Sequence, residues 1–249
     1  MKVLIASTPL AGHLNPLLSV ATIPMKHNHE VVVQTTTSLR PIVEAAGAPF
    51  VPFLSEAEGV IQDFLTEVPK RNEKTPGLEM ISFDMEHLFA RYLPAQAAGL
   101  EVALRDFPAD IILADSLFFG TLPMLLGARE KRPSIIHLGI SVLNVGSGKN
   151  VPPRQGISQK KQHDEWKERE LILLRPAQVA FDAALAKLGS RPLPCPSLES
   201  MSILPDLYLH PGIQGFEYPD DSPSFSPVRY IGSLTLPPGH ARFRAGGMN

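Results

Sequence analysis

A mainly parallel β-sheet flanked by helices, of the α/β class and with six or seven strands, is the architecture that this sequence predicts. Three observations carry that expectation. Residues 3–7, 30–35 and 109–114 are short β-rich runs, and the last, ADIILA, is continuously apolar rather than alternating, as befits a strand buried on both faces. A helical pattern lies between the first two runs, so strand, loop, helix and strand follow one another as in a βαβ unit. Proline and glycine, 25 and 18 of the 249 residues, mark many sharp boundaries between elements.

Composition narrows the class. Hydrophobic residues make up 44% and charged residues 19% of the chain, a globular balance. The 23 Lys and Arg against 25 Asp and Glu leave a formal charge of −2, which provides no basic field for nucleic acid or anionic lipid. No run approaches the ~18 apolar residues of a membrane helix, and residues 3–6 are too short for a secretory core; a cytoplasmic location is expected. Cys195 is the single cysteine, so neither a disulfide framework nor a cysteine-based metal cluster is expected.

The elements follow in order. Residues 3–7 form the first strand and 8–13 (TPLAGH) the loop after it. Pro16 suits a first helical turn with Asn15 as cap, and Leu17, Leu18, Val20, Ala21 and Met25 provide an apolar face. Residues 30–35 are the second strand. A short helix over 38–46 closes at Gly47. Residues 50–53 read as an edge strand, because Pro52 cannot donate to a central ladder. Helices are expected over 56–67 and 78–92, with a loop over 69–77, and helix continues over 100–106. The strand at 109–114 is bounded by Pro108 and Asp115; a helix over 121–130 and a strand over 134–140 follow. The Gly-, Pro- and Lys-rich segment 141–163 is a candidate lid or substrate loop. Asp164 caps a long helix reaching 188, kinked at Pro176. Residues 202–209 and 228–231 are the last strands, and 237–249 read as a linker or truncated tail after a domain spanning 1–236.

Motif searches exclude several chemistries. A phosphate-binding G-x-x-x-x-G-K-[ST] loop, a G-x-G-x-x-G after the first strand and an H-E-x-x-H helix are all missing, and the dispersed histidines suggest no zinc site. The stretch GISVL at 139–143 lacks the second glycine of a hydrolase nucleophile elbow, so Ser141 reads as an ordinary strand-end serine. What remains is His13, at the handover from strand one to helix one. Ligands of open α/β sheets bind outside the carboxyl ends of the strands, and the small residues Ala11 and Gly12 allow close approach there. Asp115 ends the most buried strand and points to the same edge. With these two strands as neighbours the side chains can meet. A neutral imidazole then takes a proton from a substrate hydroxyl, while the carboxylate fixes its tautomer and stabilises the imidazolium. The remaining histidines read as surface or loop residues.

These residues also carry a resemblance. GHLNPLL at 12–18 followed by HEVV at 29–32 closely resembles the opening of glycosyltransferases of the UDP-glycosyltransferase type. LRP at 39–41 with EAAG at 44–47 and FVP at 50–52 is similar to the macrolide-type members, and VRYIG at 228–232 to the phrase closing their N-terminal domain. The resemblance implies a GT-B architecture of two facing Rossmann-like domains. The N-terminal one binds the acceptor and carries a His–Asp dyad, matched here by His13 and Asp115; the other binds the nucleotide sugar. It further implies direct, inverting transfer of a hexose to an apolar hydroxylated small molecule, with no cofactor or required metal. Gly12, Phe83, Phe118 and Ser141 are the acceptor-side candidates. The donor domain's signature does not occur in residues 1–249, so the chain alone is expected to be incomplete, needing a donor-domain polypeptide or a homodimer. The alternative expectation is a catalytically silent acceptor-binding or auxiliary subunit. Two departures stand out: Pro24 inside the first helix, where it either ends the helix early or costs stability, and Asn28 in place of a glycine expected to need positive φ.

Overall fold

A computed structural model describes residues 1–141, 159–213 and 227–234. Its seven strands form one sheet in the order β3-β2-β1-β4-β5-β6-β7, and every neighbouring pair is parallel. β1 (Lys2–Ala6), α1 (Ala11–Lys26) and β2 (Glu30–Thr35) make the expected βαβ unit. Alternate residues of β1 serve opposite cores: Val3 and Ile5 pack with Leu14, Leu17 and Leu113, and Leu4 and Ala6 with Tyr92, Ile112 and Phe118. Helices on both faces explain the continuous apolarity of these strands.

Helix α1 starts earlier than its proline suggests. Leu10, in extended conformation, is the N-cap, and the N–H groups of His13 and Leu14 both donate to its carbonyl. Asn15 is therefore inside the helix and caps nothing, and Pro16 sits a turn in. His13 thus belongs to the first turn of α1 rather than to a loop. At the other end the helix runs through Pro24 to Lys26 and closes with two bonds, Asn28 N–H to the Met25 carbonyl at 3.1 Å and His29 N–H to the Pro24 carbonyl at 3.0 Å. This is a Schellman closure, whose reversing residue needs the left-handed conformation; Asn28 takes it, at φ 58°.

The short helix α2 (Arg40–Ala45) ends before Gly47, at φ 78°, and leads into the edge strand β3 (Phe50–Pro52). The next region is more helical than the sequence suggests. α3 (Ser55–Asn72) continues through Pro69, shortening the expected loop at 69–77. α4 (Leu78–Asp84), a π-helical turn (Met85–Phe89) and α5 (Ala90–Asp106) form one succession that carries Pro94 in its interior. A π turn just ahead of a proline is one way for a helix to absorb the missing N–H and the ring.

β4 (Ile111–Asp115) is central, between β1 and β5 (Ser134–Leu138). Between them the predicted helix 121–130 breaks up into a 3-10 turn (Phe119–Thr121), α6 (Leu122–Leu126) and a second 3-10 turn (Arg129–Lys131). Gly127, extended at φ −85° and ψ −170°, stops α6. The 3-10 turn passes so close to α5 that a Cβ on Gly120 would lie 2.5 Å from Gln96 Cβ. α7 (Gln159–Lys187) begins before Asp164, so the end of the predicted loop is helical, and it runs through Pro176 as one helix. The rest of that loop, 142–158, falls outside the described residues, as does the tail 237–249. The predicted strand 202–209 is half wrong: Ser202 belongs to α8 (Ser197–Ile203), and only Leu207–His210 form β6. Pro205 lies between the two, and it has no N–H with which to continue the helical ladder beyond Leu204, whose own N–H still bonds the Ser200 carbonyl. β7 (Val228–Tyr230) completes the sheet.

Candidate active site

The parallel register sets Ala6 of β1 beside Ala114 of β4, so both chains leave the sheet at the same edge. Thr8 and Asp115 meet there. The Thr8 N–H donates to Asp115 Oδ2 at 2.6 Å and its hydroxyl to Oδ1 at 3.0 Å, while the Leu117 N–H donates to Oδ1 at 2.9 Å. His13 adds a fourth contact, Nδ1 to Oδ1 at 2.9 Å. A carboxylate only accepts, so the histidine proton sits on Nδ1 and Nε2 carries the lone pair. The Asp115 side chain is 0% exposed and that of His13 12% exposed. The aspartate is therefore a fixed anchor and the imidazole reaches the surface. Such an arrangement accepts a proton at Nε2 and stabilises the resulting charge through Nδ1.

Thr8 was not singled out from the sequence. The signal was present, since Ser7 and Thr8 are polar residues directly after an apolar strand at its carboxyl end. Both are buried, at 0% and 1% exposure, and Thr8 supplies two of the four contacts on Asp115.

The other predicted site residues do not gather in the same way. Gly12 precedes His13 in α1, exposed and with open space where a side chain would be. Ser141 is exposed and follows β5 at the same edge of the sheet. Phe118 is 0% exposed and stacks on Phe53 within the core, with ring centroids 6.3 Å apart. Phe83 is also buried, stacked on His87 at 4.1 Å. Both aromatic rings are thus committed to packing.

Two histidines, His137 and His210, correct the expectation of surface or loop placement. His137, in the middle of β5, is 0% exposed, with Nδ1 2.8 Å from the Met201 carbonyl and Nε2 3.0 Å from Thr121 Oγ1. Burial pushes its imidazole down to about 4, against the weaker opposing pull of the Met201 carbonyl and Asp115. The ring is then neutral, with Nδ1–H donating to Met201 and the Thr121 hydroxyl donating to Nε2. His210 ends β6 and is 5% exposed. His87 lies on the π turn, 2.7 Å from Glu67. Among the described residues no three His, Cys, Asp or Glu side chains assemble as a metal site, and no helix is long and apolar enough to cross a membrane.

No protein-family profile matches the chain, but individual relatives do. It is 29% identical over 244 residues to UDP-glycosyltransferase 2 of Phaeomoniella chlamydospora, covering 93% of this chain and 53% of the relative. It is 26% identical over 248 residues to the 4'-demethylrebeccamycin synthase of Lentzea aerocolonigenes, covering 95% of this chain and 56% of that protein. Among solved structures, the glycotransferase of kitacinnamycin superposes with a TM-score of 0.65 at 18% identity, over 96% of this chain and 53% of the other. The calicheamicin glycosyltransferase CalG4 does so with a TM-score of 0.57 at 21% identity, over 93% and 52%. The chain spans about half the length of these proteins. By sequence it is similar to about half of proteins named as UDP-glycosyltransferases, and by fold its seven-stranded parallel sheet is the Rossmann-like counterpart of about half of each of these solved glycosyltransferases, consistent with the GT-B architecture.

Proposed function

We propose that residues 1–236 are the acceptor-binding domain of a nucleotide-sugar-dependent glycosyltransferase. The observation that carries this reading is the His13–Asp115 contact at the carboxyl edge of a parallel sheet, in a chain whose relatives are named glycosyltransferases. The acceptor is a hydroxylated, largely apolar small molecule held over Gly12 and Ser141. Its hydroxyl donates to His13 Nε2, which removes the proton as the oxygen attacks the anomeric carbon of a hexose. The new C–O bond forms on the face opposite the departing nucleoside diphosphate, so the configuration inverts. Asp115, held by Thr8 and Leu117, keeps Nδ1 protonated and stabilises the imidazolium. The nucleotide sugar is a co-substrate, held mainly by a donor domain outside residues 1–249, and no step is assigned to a metal. Catalysis then requires that second domain, on the same polypeptide or a separate one.

The test is transfer to a panel of phenolic and macrocyclic alcohols, with the donor-binding half supplied and a set of nucleotide sugars offered. His13→Ala is expected to abolish transfer while the circular dichroism spectrum and melting temperature stay close to those of the parent. Transfer that survives the substitution removes His13 from the mechanism.

A further inference from the structure

Helix α7 is apolar on two faces. Of its residues 171–186, LILLRPAQVAFDAALA, only Arg175, Gln178 and Asp182 are polar. One face, with Ala177, Phe181 and Leu185, is buried in the core cluster that holds Leu93, Phe119 and Met201. The opposite face carries Ile172, Pro176, Val179, Ala183 and Ala186, all of them exposed, Ile172 at 65% and Val179 at 61%. A surface helix keeps its outer side polar, and one that is apolar on both sides is covered on both.

The spacing of the exposed residues gives the shape of what covers them. They recur at steps of four, three, four and three residues, the alternation that keeps one seam along a helix for pairing with another helix. The stripe is about 21 Å long, bulky at Ile172 and small at Ala183 and Ala186. The three polar residues, which share one flank of the stripe, identify the partner. Asp182 is half-buried and accepts the Leu193 N–H at 3.0 Å. Arg175 is exposed and has no ion-pair partner among the described residues. Seven residues separate the two, beyond the i,i+3 and i,i+4 reach of helix side chains. A second copy of the chain laid antiparallel sets Arg175 of each across from Asp182 of the other. In that register Ile172 meets Ala183, bulk against small.

We propose that the outer face of α7 is the contact of a two-fold homodimer, the two helices antiparallel along the stripe and flanked by two Arg175–Asp182 pairs. A two-fold contact uses the same patch on both subunits, and this stripe matches itself in bulk and in charge. A contact confined to one helix is small among protein interfaces, so the association is weak, with a Kd on the order of 10 to 100 μM. None of these residues contributes to the His13–Asp115 site, and the dimer stands independently of the glycosyl-transfer reading.

The experiment is sedimentation equilibrium of the intact chain over about 1 to 500 μM, a range that brackets the expected Kd. The parent should pass from monomer to dimer. Val179→Glu places a charge in the middle of the seam and should raise the Kd about tenfold or more, with the melting temperature unchanged because Val179 is exposed. Arg175→Asp and Asp182→Arg should each weaken association by repulsion, and a one-to-one mixture of the two should restore it, since every charge then meets its opposite. Melting curves check that the variants fold; the parent and Val179→Glu decide the matter even where Asp182→Arg, which gives up the Leu193 contact, is unstable. A parent that stays monomeric throughout overturns the proposal, and so does a dimer indifferent to Val179→Glu. A mixture of the two folded charge variants that associates no better than either alone overturns it as well. Association that appears only with an added donor-half polypeptide assigns the face to that partner and overturns it too.

Discussion

At the scale of single residues, the candidate site rests on how Asp115 is held. Four contacts converge on one carboxylate that is 0% exposed, so the three groups other than His13 have a positioning task. If His13 is the general base, His13→Ala should lower kcat by about two to four powers of ten and leave the acceptor KM within a few-fold. Thr8→Val removes the hydroxyl donor but keeps the backbone N–H. It should reduce kcat by about tenfold, the worth of one hydrogen bond to a charged group, with the acceptor KM again little changed. Steady-state kinetics with the donor half supplied separates the two: equal losses would mean that Thr8 does more than position Asp115. That His13 and Asp115 could meet was readable before the fold, because the handover from the first strand to the first helix and the end of the ADIILA strand lie at one sheet edge. The part of Thr8 was not: its polar position after the first strand places it at that edge, but that it holds Asp115 depends on a contact across 107 residues.

At the scale of elements, the unusual prolines and glycines become intelligible once the ends of helices are seen. Pro24 does not shorten α1; its carbonyl receives the closing bond from His29. Asn28 then occupies the left-handed position at φ 58°. Asn28→Ala should cost about 1 kcal/mol in urea unfolding, because a Cβ without a compensating polar group is disfavoured there, and Asn28→Gly should be neutral or slightly stabilising. An Asn28→Ala variant as stable as the parent would show that the turn relaxes. Gly120 is a matter of space rather than conformation. Its added Cβ would meet backbone atoms of Gln96 and Ala97 at 2.8 and 3.0 Å, so Gly120→Ala should destabilise by about 2 kcal/mol or more through displacement of the 3-10 turn from α5. The same measurement checks it. Gly120 could not be ranked from the sequence, where it was one small residue among many, whereas Asn28 was marked by its place before His29, where a left-handed residue is expected.

At the scale of the whole domain, the buried polar residue with a pH signature is His137. Its folded pKa is depressed to about 4 from an ordinary 6.5, so it is neutral in the fold and takes up a proton more readily when unfolded. As pH falls, the unfolded chain binds that proton first. The stabilising effect of burying a neutral imidazole is complete above about 6.5 and is lost progressively down to about 4. Between pH 7 and pH 5 the domain should lose about 2 kcal/mol from this one group. Urea unfolding at the two values measures it, and His137→Gln should flatten the difference. A slope unchanged by the substitution would assign the pH dependence to other groups. The α/β class and the central position of the ADIILA strand followed from apolar runs alone. His137 did not, since an imidazole inside the short run SIIHL looks no different from one in a loop until the Thr121 hydroxyl and the Met201 carbonyl are seen on its two nitrogens.

What the amino-acid sequence determined by itself is the local and periodic part of this protein: the βαβ opening, the edge position of the Pro52 strand, the reversal at Asn28 and the two residues of the dyad. These rest on interactions within a few residues or on the demand that apolar runs be buried, both of which are written along the chain. The tertiary structure alone decided where α1 begins, that helices pass through Pro69 and Pro94, that residues 202–203 join a helix, and which aromatic rings are committed to the core. Those outcomes depend on packing between distant segments, whose energy outweighs local preference at each of these positions.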